Sequence, residues 1–486
     1  MAVLILGTAT AGYLYYQHLN NNIRSSARSG GESGVKKAAP NAQGDTPLNI
    51  LLIGSDSRNS AENVKLGGSK DTVGDKPRAD VQMLLHISAD RKNSSLVSIP
   101  RDTILPIPEC TDSETGQKYP ATDNRPINES LQRGGPGCTL TTWEKLTGVY
   151  IDHWIMLDFA GVVAMADAIG GVEVCVKTGV WDKPTRLVPG GSGLKLPAGK
   201  NTVQGKQALQ WLRTRHAFGN DQNRAKAQHM YMNSMLRTLK KQNLWSDAGR
   251  LMNLAETATN ALQVSDEIRS VKKLFDLAMQ LKSVPINRIT MTTMPTAEWS
   301  QDRNKLVPVE KSADALWHLV REDVAFDKNG KEKKKPSSSG PPAAEPATLG
   351  VSVVNGTGVG QAPKDGRAGE VADILHGKGF AEADTSQPAE PSKDTVVRYA
   401  KEDGDQGKSD AESVAEALGL PATAVKADPE AGGLTVVVGA DWREGTVYKA
   451  PKAEAGDLPE GADDLNAADE GQCMDIYSVY KWDGKS

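Results

Sequence analysis

Residues 205–228, GKQALQWLRTRHAFGNDQNRAKAQ, gather side chains that are suited to binding an anion. A helix that begins at Asp221 places Asp221, Arg224 and Gln228 on one face, because they have i, i+3 and i+7 spacing. Arg213 and Arg215 precede that helix. Guanidinium groups beside a helix N-terminus suit phosphate, since their fork of donors matches its oxygens and the helix dipole favours negative charge. Taken alone, the motif is more typical of a solvated, salt-bridged helix start, so its meaning depends on the rest of the chain.

Acidic side chains and further arginines stand at the ends of three predicted strands, the apolar runs 48–53, 81–87 and 95–99. In chain order they are Asp56 and Arg58 after the first strand, Arg78 and Asp80 before the second, and Arg101 and Asp102 after the third. Strand ends are where α/β sheets form ligand sites. Asp56 and Asp80 could share a Mg²⁺ or Mn²⁺ ion, since such ions take carboxylates and complete their coordination with water and phosphate oxygens. The arginines would balance the remaining charge of a pyrophosphate.

Other chemistries have less support in the sequence. The histidines do not have HExxH spacing, GSDSR at 54–58 is not the GxSxG of a serine hydrolase, and there is no Walker lysine motif. So many arginines beside a few acids would be unusual for a glycosidase or a protease. The formal net charge of −4 and the lack of a basic tract argue against a nucleic-acid partner.

The N-terminal residues indicate where in the cell the protein is located. Residues 2–16, AVLILGTATAGYLYY, carry no charge, and their tyrosines lie where an interfacial aromatic belt would be. The run is short for a membrane span, which needs about 20 residues. It also lacks the basic flank and the cleavage site of a signal peptide. We interpret residues 1–19 as an uncleaved transmembrane anchor whose cytoplasmic start lies outside this sequence.

At 486 residues the chain is too long for one ordinary domain, so two or three folded units are expected. Strands and helices alternate from residue 48 to residue 321, which predicts an α/β (α+β) layered core with a central mixed sheet flanked by helices. A second, smaller α/β domain follows a segment rich in Lys, Pro and Ser. The predicted parts are the anchor at 1–19, a flexible stalk at 20–46, a catalytic domain at 47–325, a linker at 326–348, the small domain at 349–445 and an acidic flexible tail at 446–486.

A series of motifs resembles, in the same order, those of the LytR–CpsA–Psr family: NILLIGSDSR, Arg78-Ala79-Asp80, SIPRDT, INES, DHWIMLDFAGVVAMADAIGGVEVCV, LPAG and residues 205–228. They cover about residues 48–321, and residues 349–440 are similar to the LytR C-terminal domain of actinobacterial members. The resemblance implies a single-pass enzyme of the cell membrane with an extracytoplasmic catalytic domain. Its reaction would be the Mg²⁺-assisted transfer of a glycopolymer from a polyprenyl-pyrophosphate carrier to peptidoglycan, with hydrolysis of the carrier pyrophosphate as a side activity.

The resemblance also implies roles for the candidate residues. Asp56 and Asp80 would hold the metal ion. The pyrophosphate would be bound by Arg58, Arg78, Arg101, Arg213, Arg215 and Arg224, with support from Asp221 and Gln228. Arg101, Arg213 and Arg215 would stabilise charge on the leaving group, and Asp102 could accept the proton of the attacking hydroxyl. A second hypothesis is a wall-polymer or lipid-carrier binding protein without turnover, but recognition alone would not need a metal.

Four cysteines in an extracytoplasmic domain favour disulfides. Cys110 and Cys138 flank the loop that carries the INES stretch, and we predict a bridge between them. Their separation of 28 residues corresponds to roughly 3–4 kcal/mol in the chain-entropy relation. Pairing of Cys175, at the end of a predicted buried strand, with Cys473, in the predicted tail, is left open.

Overall fold

The structure is a computed structural model that describes residues 2–38, 40, 44–57, 76–186, 188–219, 221–241, 248–328, 341–359, 361–420, 424–429, 431–448, 455–462 and 464–484. For residues 2–8, 221, 222, 241 and 248 the backbone alone is described. The chain forms two compact units. Unit 1 comprises Met1–Lys37, Pro47–Asn329 and Leu458–Ser486, and unit 2 comprises Ala38–Thr46 and Gly330–Asp457. The chain therefore passes from unit 1 to unit 2 twice, briefly at residues 38–46 and for the main part of unit 2 at 330–457, and each time it returns to unit 1.

Strands and helices alternate along both units. The strands are β1 (Arg24–Ser26), β2 (Leu48–Ser55), β3 (Ala79–Ile87), β4 (Ser94–Ser98), β5 (Ile104–Ile107), β6 (Cys110–Thr111), β7 (Lys118–Tyr119), β8 (Thr122–Pro126), β9 (His153–Leu157), β10 (Val172–Val176), β11 (Gly179–Trp181), β12 (Lys195–Leu196), β13 (Gly199–Val203), β14 (Gln263–Ser265), β15 (Ile289–Thr293), β16 (Thr296–Trp299), β17 (Asp302–Pro308), β18 (Val351–Asn355), β19 (Ala383–Ser386), β20 (Val396–Ala400), β21 (Val425–Asp428), β22 (Leu434–Val438), β23 (Asp464–Asn466) and β24 (Lys481–Trp482). The α-helices are α1 (Ala2–Asn22), α2 (Gly135–Thr147), α3 (Phe159–Ala168), α4 (Gly205–Arg213), α5 (Asp221–Lys241), α6 (Ala248–Ala261), α7 (Val271–Ser283), α8 (Glu310–Arg321), α9 (Arg367–Gly377) and α10 (Gly404–Leu418).

The main sheet of unit 1 has eight strands in the order β1-β14-β9-β2-β3-β4-β15-β23. β2, β3 and β4 are antiparallel neighbours, whereas β2 with β9 and β4 with β15 form parallel pairs. The apolar runs that the sequence predicts as strands are β2, β3 and β4, and every residue of β4 is buried. The predicted mixed sheet is therefore confirmed.

Two apolar clusters hold helices on the sheet. In one, Met232 and Leu236 of α5 and Leu277 and Leu281 of α7 pack against β2, β3 and β15. The other lies between α3, α4, α5 and the small strand pair β10–β13. Met232 belongs to both clusters. The body of α5 is therefore fixed in the core, and its first turns, which carry the predicted anion-binding residues, are held in place by it.

The segment after α1 is packed on unit 1 up to residue 37, although the sequence predicted a flexible stalk at 20–46. β1 pairs in parallel with β14. Arg28 and Ser33 donate hydrogen bonds of 2.9 and 2.5 Å to the buried carboxylate of Glu144. Lys37 donates to Asp152, which is also buried, at 2.5 Å. A buried carboxylate without partners is strongly destabilising, and these bonds hold the segment in place.

α1 covers the predicted anchor at 1–19. Its last turn joins unit 1, where Leu19 is buried and Asn20 Oδ1 accepts a hydrogen bond from the N–H of Val271 at 2.9 Å. Within the described residues, no helix has the length and apolar character that crossing a membrane requires.

Residues 458–484 are an integral part of unit 1, whereas the sequence predicted an acidic flexible tail at 446–486. β23 pairs with β15 at the edge of the main sheet, and β24 pairs with β11. Cys473 is bonded to Cys175, which answers the question that the sequence left open. Leu465, Met474 and Tyr480 are buried in the cluster beside α5. A few apolar side chains are therefore enough to hold this acidic segment on unit 1.

Unit 2 is a small α/β layer with the strand order β19-β18-β22-β20-β21. α9 and α10 cover it through buried residues that include Val371, Leu375 and Val414. This confirms the second, smaller α/β domain. Of the predicted linker at 326–348, Phe326 is buried, and residues 329–340 lie outside the described part of the chain.

Candidate functional site

One end of the main sheet carries the first group of predicted site residues. Gly54 and Ser55 of β2 pair with residues 81 and 79 of β3, which leaves Asp80 as the extra residue of a β-bulge. Bulges redirect side chains and are frequent beside active sites. Past the bulge, the N–H of Arg78 donates to the Asp56 carboxylate at 2.6 Å, and the N–H of Asp56 donates to the Arg78 carbonyl at 3.0 Å. The structure therefore brings Asp56, Arg78 and Asp80 together.

Asp80 is the first member of a row of ionic side chains that we call the ion-pair chain. Arg101 donates from Nη1 to Asp80 at 2.9 Å and from Nε to Asp102 at 3.2 Å. The other oxygen of Asp102 accepts from Lys305 Nζ at 2.7 Å. Carboxylates and cations therefore alternate along the ion-pair chain, which consists of Asp80, Arg101, Asp102 and Lys305. Lys305 lies on β17, and the sequence did not identify it as a site residue.

The surroundings of Asp102 oppose the role of proton acceptor. Burial alone would raise its pKa, but the hydrogen bond from Lys305 and the charges of Arg101 and Lys305 outweigh burial and hold the pKa below its usual value. Both carboxylate oxygens also accept a hydrogen bond already. A carboxylate with a lowered pKa is a weak general base. In this arrangement Asp102 holds two cations in position.

The backbone beneath Arg101 is tied to the loop that carries the INES stretch. This stretch begins a 3₁₀ segment, Ile127–Arg133. The N–H of Asn128 donates to the carbonyl of Arg101 at 3.2 Å. Cys110 and Cys138 flank the segment, are both buried and are bonded at 2.03 Å. The predicted disulfide is confirmed, and it fixes the loop on which the backbone of Arg101 rests.

A second group of site residues lies beside the end of β9, the strand next to β2. β9 is parallel to β2, and Leu157 of β9 pairs with Gly54 of β2, so the residues that follow the two strands are adjacent. Asp158 caps α3, which starts at Phe159. The guanidinium carbon of Arg213 lies 5.0 Å from the centre of the Phe159 ring. This cation–π contact places the end of α4 beside the strand end that carries the first group.

The turn between α4 and α5 positions the other arginines. Trp211 Nε1 and Gln228 Nε2 donate to carbonyls of the opposite helix at 3.0 and 3.2 Å. Arg224 is 8% exposed and Gln228 is 7% exposed, far less than in a solvated helix start. Arg215 is half-buried and Arg213 is exposed. Burial strengthens the attraction between Arg224 and an anion, because the local dielectric is low.

Two predicted site residues are not placed. Arg58 lies outside the described residues, and the side chain of Asp221, the first residue of α5, is not described. The predicted metal ligands Asp56 and Asp80 are brought to one strand end. In the described part of the chain, no group of three or more His, Cys, Asp or Glu side chains is arranged to hold a metal ion. Two carboxylates still suit Mg²⁺, because water and substrate phosphate oxygens complete its octahedron.

The fold is that of an α/β protein with a mixed sheet, and an arginine-rich corner lies beside paired acids at one end of that sheet, an arrangement that suits an anion. Residues 12–322 match the LytR_cpsA_psr family, and residues 348–442 match the family described as LytR cell envelope-related transcriptional attenuator. The chain therefore belongs to the LytR–CpsA–Psr family.

Relatives with assigned roles are found at low identity. The chain is 25% identical to the cell wall biosynthesis protein LcpA of Corynebacterium glutamicum, over 97% of this chain and 90% of that protein. It is 24% identical to the polyisoprenyl-teichoic acid–peptidoglycan teichoic acid transferase TagT of Bacillus subtilis, over 60% of this chain and 83% of the transferase. The solved structure of TagT bound to LIIa-WTA has a TM-score of 0.44 at 20% identity and covers 62% of this chain and 98% of that chain.

Proposed function

We propose that this protein is a membrane-anchored, extracytoplasmic phosphotransferase that moves a glycopolymer from a polyprenyl-pyrophosphate carrier to peptidoglycan. Transfer of a cell-wall glycopolymer is the role that the names of its relatives support. The observation that carries the proposal is the meeting of two groups of side chains at adjoining strand ends, one of paired acids and one of arginines. Such a pair of groups suits a pyrophosphate held between a metal ion and guanidinium groups.

The pyrophosphate would lie between these two groups. Arg213, Arg215 and Arg224 approach it from the corner between α4 and α5, and Arg101 approaches from the sheet. Donors that are already in position when charge develops on the leaving phosphate lower the barrier without reorganisation. The ion-pair chain supplies this preorganisation, because Asp80 and Asp102 fix two edges of the Arg101 guanidinium.

A prenyl chain needs an apolar path next to the site. The face of the sheet that meets α5 and α7 has several apolar side chains that are only partly buried. They include Leu52, Val81, Ile155, Met232 and Leu236. Leu52 and Val81 precede and follow the bulge that carries the acids, and Ile155 lies on the adjoining strand. We propose that the lipid tail of the carrier lies along these side chains.

Asp56 and Asp80 would hold the metal ion. When bound, Mg²⁺ supplies positive charge to the phosphate oxygens. The chain itself orients both ligands: the N–H of Arg78 donates to Asp56, and Arg101 donates to Asp80. Each carboxylate is therefore held in one direction before substrate binds.

The proposed reaction is an in-line displacement. The oxygen of a peptidoglycan hydroxyl forms a bond to the phosphorus that carries the glycopolymer, and the bond from that phosphorus to the bridging oxygen breaks. Polyprenyl phosphate leaves with the electron pair, and the hydroxyl proton passes to a base. Asp102 would serve as that base only after it separates from Lys305, since its two oxygens are occupied. We therefore assign to Asp102 the positioning of Arg101.

The release of phosphate from a polyprenyl pyrophosphate, with water in place of the sugar hydroxyl, tests the proposal. We expect slow, Mg²⁺-dependent release that Arg213→Ala abolishes, whereas Arg269→Ala, at an exposed arginine outside both groups, retains it. Tight binding of the carrier without release at any Mg²⁺ concentration, and without glycopolymer transfer to peptidoglycan, would instead favour the binding or regulatory protein. Both variants should show the wild-type unfolding transition.

A further inference from the structure

We propose that the outer face of the small sheet β12-β11-β24 binds the glycan that the carrier brings to the site. The inference rests on the proposed function, because it assigns a place to the sugar residues of that substrate. The binding surface, which we call the aromatic platform, consists of Trp181 of β11, Lys195 of β12, Trp482 of β24 and Tyr477, which precedes β24.

The pairing of the three strands places both indoles and the lysine on one face. β11 is the central strand, and β12 and β24 are its antiparallel neighbours. Trp181 pairs with Lys195, and Gly179, two residues before Trp181, pairs with Trp482. Directly paired residues share a face, and so do residues two apart along a strand. Val180 lies between these positions and points to the other face, where it is buried in the cluster beside α5.

Lys195 lies between the two indoles. Its Nζ is 4.3 Å from the centre of the Trp181 ring and 4.6 Å from the centre of the Trp482 ring. Lys183 Nζ lies 4.5 Å from the centre of the Trp181 ring. Both indoles are half-buried, and within the described part of the chain no carboxylate forms an ion pair with Lys183 or Lys195. The platform therefore presents aromatic surface together with ammonium groups that acids do not occupy.

The loop after β11 joins this sheet to the turn that carries the arginines. Asp182 follows β11, and its carboxylate accepts a hydrogen bond from the N–H of Ser192 at 2.7 Å. Ser192 Oγ in turn lies 2.6 Å from Oγ1 of Thr214. Thr214 stands between Arg213 and Arg215, so two hydrogen bonds connect the end of β11 with these arginines.

The segment that returns from unit 2 makes a second connection. The N–H of Tyr477 donates to the carbonyl of Ala217 at 2.9 Å, and Ala217 lies two residues after Arg215. The Tyr477 side chain is 59% exposed. From there to Trp482 the chain spans roughly 17 Å at most, and Tyr480 within this stretch is buried. The segment therefore leads from the arginines to the indoles and is fixed on the core between them.

The position of the platform suits the glycan end of the carrier. The pyrophosphate carries the prenyl chain at one end and the glycan at the other. The proposed lipid path lies along β2, β3 and β9, and the platform borders the arginines without sharing a residue with that path. A carrier held by the arginines can therefore place its first sugar residues on the platform while its prenyl chain follows the sheet.

The chemistry of the platform fits sugars better than a protein partner. One face of a pyranose ring presents C–H groups with partial positive charge, which suit the negative face of an indole. Hydroxyl and acidic groups of sugars accept hydrogen bonds from ammonium groups such as those of Lys183 and Lys195. A protein interface would favour a continuous apolar patch, whereas a lysine separates the two indoles here.

Two carrier lipids distinguish the platform from the pyrophosphate site. One is polyprenyl pyrophosphate without a sugar, and the other is the glycan-loaded carrier extracted from membranes of the source organism. Release of polyprenyl phosphate by the full chain in Mg²⁺ buffer is measured for both. In each case the oxygen of water forms a bond to the phosphorus distal to the prenyl chain. Polyprenyl phosphate leaves with the electrons of the broken bond, and the water proton passes to solvent.

The variants are Trp181→Ala and Trp482→Ala. Trp482→Phe, which keeps an aromatic ring, and Phe275→Ala, at an exposed aromatic residue of α7, are the controls. We expect each alanine variant to raise KM for the loaded carrier about tenfold, through the loss of one aromatic contact. KM for the bare pyrophosphate should not change, because it has no sugar to contact the platform. Both controls should keep the wild-type KM for both carriers.

An unchanged KM for the loaded carrier in the alanine variants would overturn the platform, while release by the wild type would still support the proposed function. A rise in KM for both carriers would also overturn it, since the tryptophans would then only support the arginines. A loss confined to transfer onto added peptidoglycan would show that this surface binds the acceptor or another partner instead. No release from either carrier by the wild type would overturn the proposed function itself. Circular dichroism checks the unfolding transition of every variant, and either alanine variant suffices for the test.

Discussion

Removing residues 458–486 should unfold unit 1, whereas removing unit 2 should leave it folded. The returning segment buries Leu465, Met474, Ile476 and Tyr480 in the cluster beside α5. Burial of one such side chain stabilises by roughly 1.5–3 kcal/mol, so the four together contribute about 6–12 kcal/mol. The Cys175–Cys473 bond spans 298 residues and adds about 6 kcal/mol in the chain-entropy relation. A domain is stable by only about 5–15 kcal/mol, so loss of the segment removes most of that stability.

Two shortened chains separate the alternatives. One ends at residue 328, and in the other a Gly/Ser linker of about 20 residues, with a reach of roughly 25 Å, replaces residues 330–457. Thermal unfolding is followed by circular dichroism, and phosphate release is measured on the same samples. We expect the internal deletion to keep a cooperative transition and its activity. We expect the shorter chain to lack both.

A control variant with Cys175→Ala and Cys473→Ala isolates the disulfide from the buried side chains. Because the apolar contacts remain, this variant should keep a cooperative transition, which the chain that ends at residue 328 lacks, but should unfold at a lower temperature than wild type. A chain ending at residue 328 with the wild-type unfolding temperature would refute the reasoning, since it would show that the returning segment adds no stability.

Three substitutions test the site. Asp80→Ala should abolish the stimulation of phosphate release by added Mg²⁺, and full activity of the wild type in a chelator would contradict the metal assignment. Arg215→Lys keeps the charge but loses the planar fork, and one weakened charged hydrogen bond predicts a fall of about ten- to a hundredfold in kcat/KM for the carrier. Lys305→Met should raise the pKa of Asp102, because it removes a hydrogen bond and a charge that lower it. Protonation then occurs at higher pH, so the acid limb of the pH–rate profile should move to higher pH, and an unchanged profile would show that ionised Asp102 does not matter.

The residues at the strand ends of the site were predictable because the end of an apolar run in the sequence marks the end of a strand. The apolar run of β2 stops at Ser55, and the charged residues that follow must lie at that end of the strand. The spacing of Arg224 and Gln228 places them on one face of α5 in the same way. The bulge at Asp80 was not predictable, since it depends on the register between two strands.

Residues that join the site or the core from far along the chain could not be found from local patterns. Lys305 is 203 residues from Asp102, and it lies on a short hairpin without a motif. Leu465 pairs with Met291 in the main sheet, although acidic and small residues surround it in the sequence. The sequence alone placed the end of the catalytic domain at residue 325. The composition of a segment describes its average polarity. Whether the segment packs on the domain depends instead on the few apolar side chains that it can bury.

The balance of charge explains why the two groups of the site depend on each other. Along the ion-pair chain two acids already balance two cations, so this row adds no net positive charge to the sheet end. Asp56 adds a negative charge there and Arg78, whose backbone N–H donates to Asp56, adds a positive one, so these six residues carry no excess charge. A bare anion would gain no net attraction at the sheet end, whereas the carboxylates of Asp56 and Asp80 are suitable ligands for a divalent cation. Of the predicted site residues at the corner of α4 and α5, Arg213, Arg215 and Arg224 are cationic and Asp221 is acidic. Changes to the acids should therefore alter the metal dependence first, and changes to the arginines should alter the affinity for the carrier first.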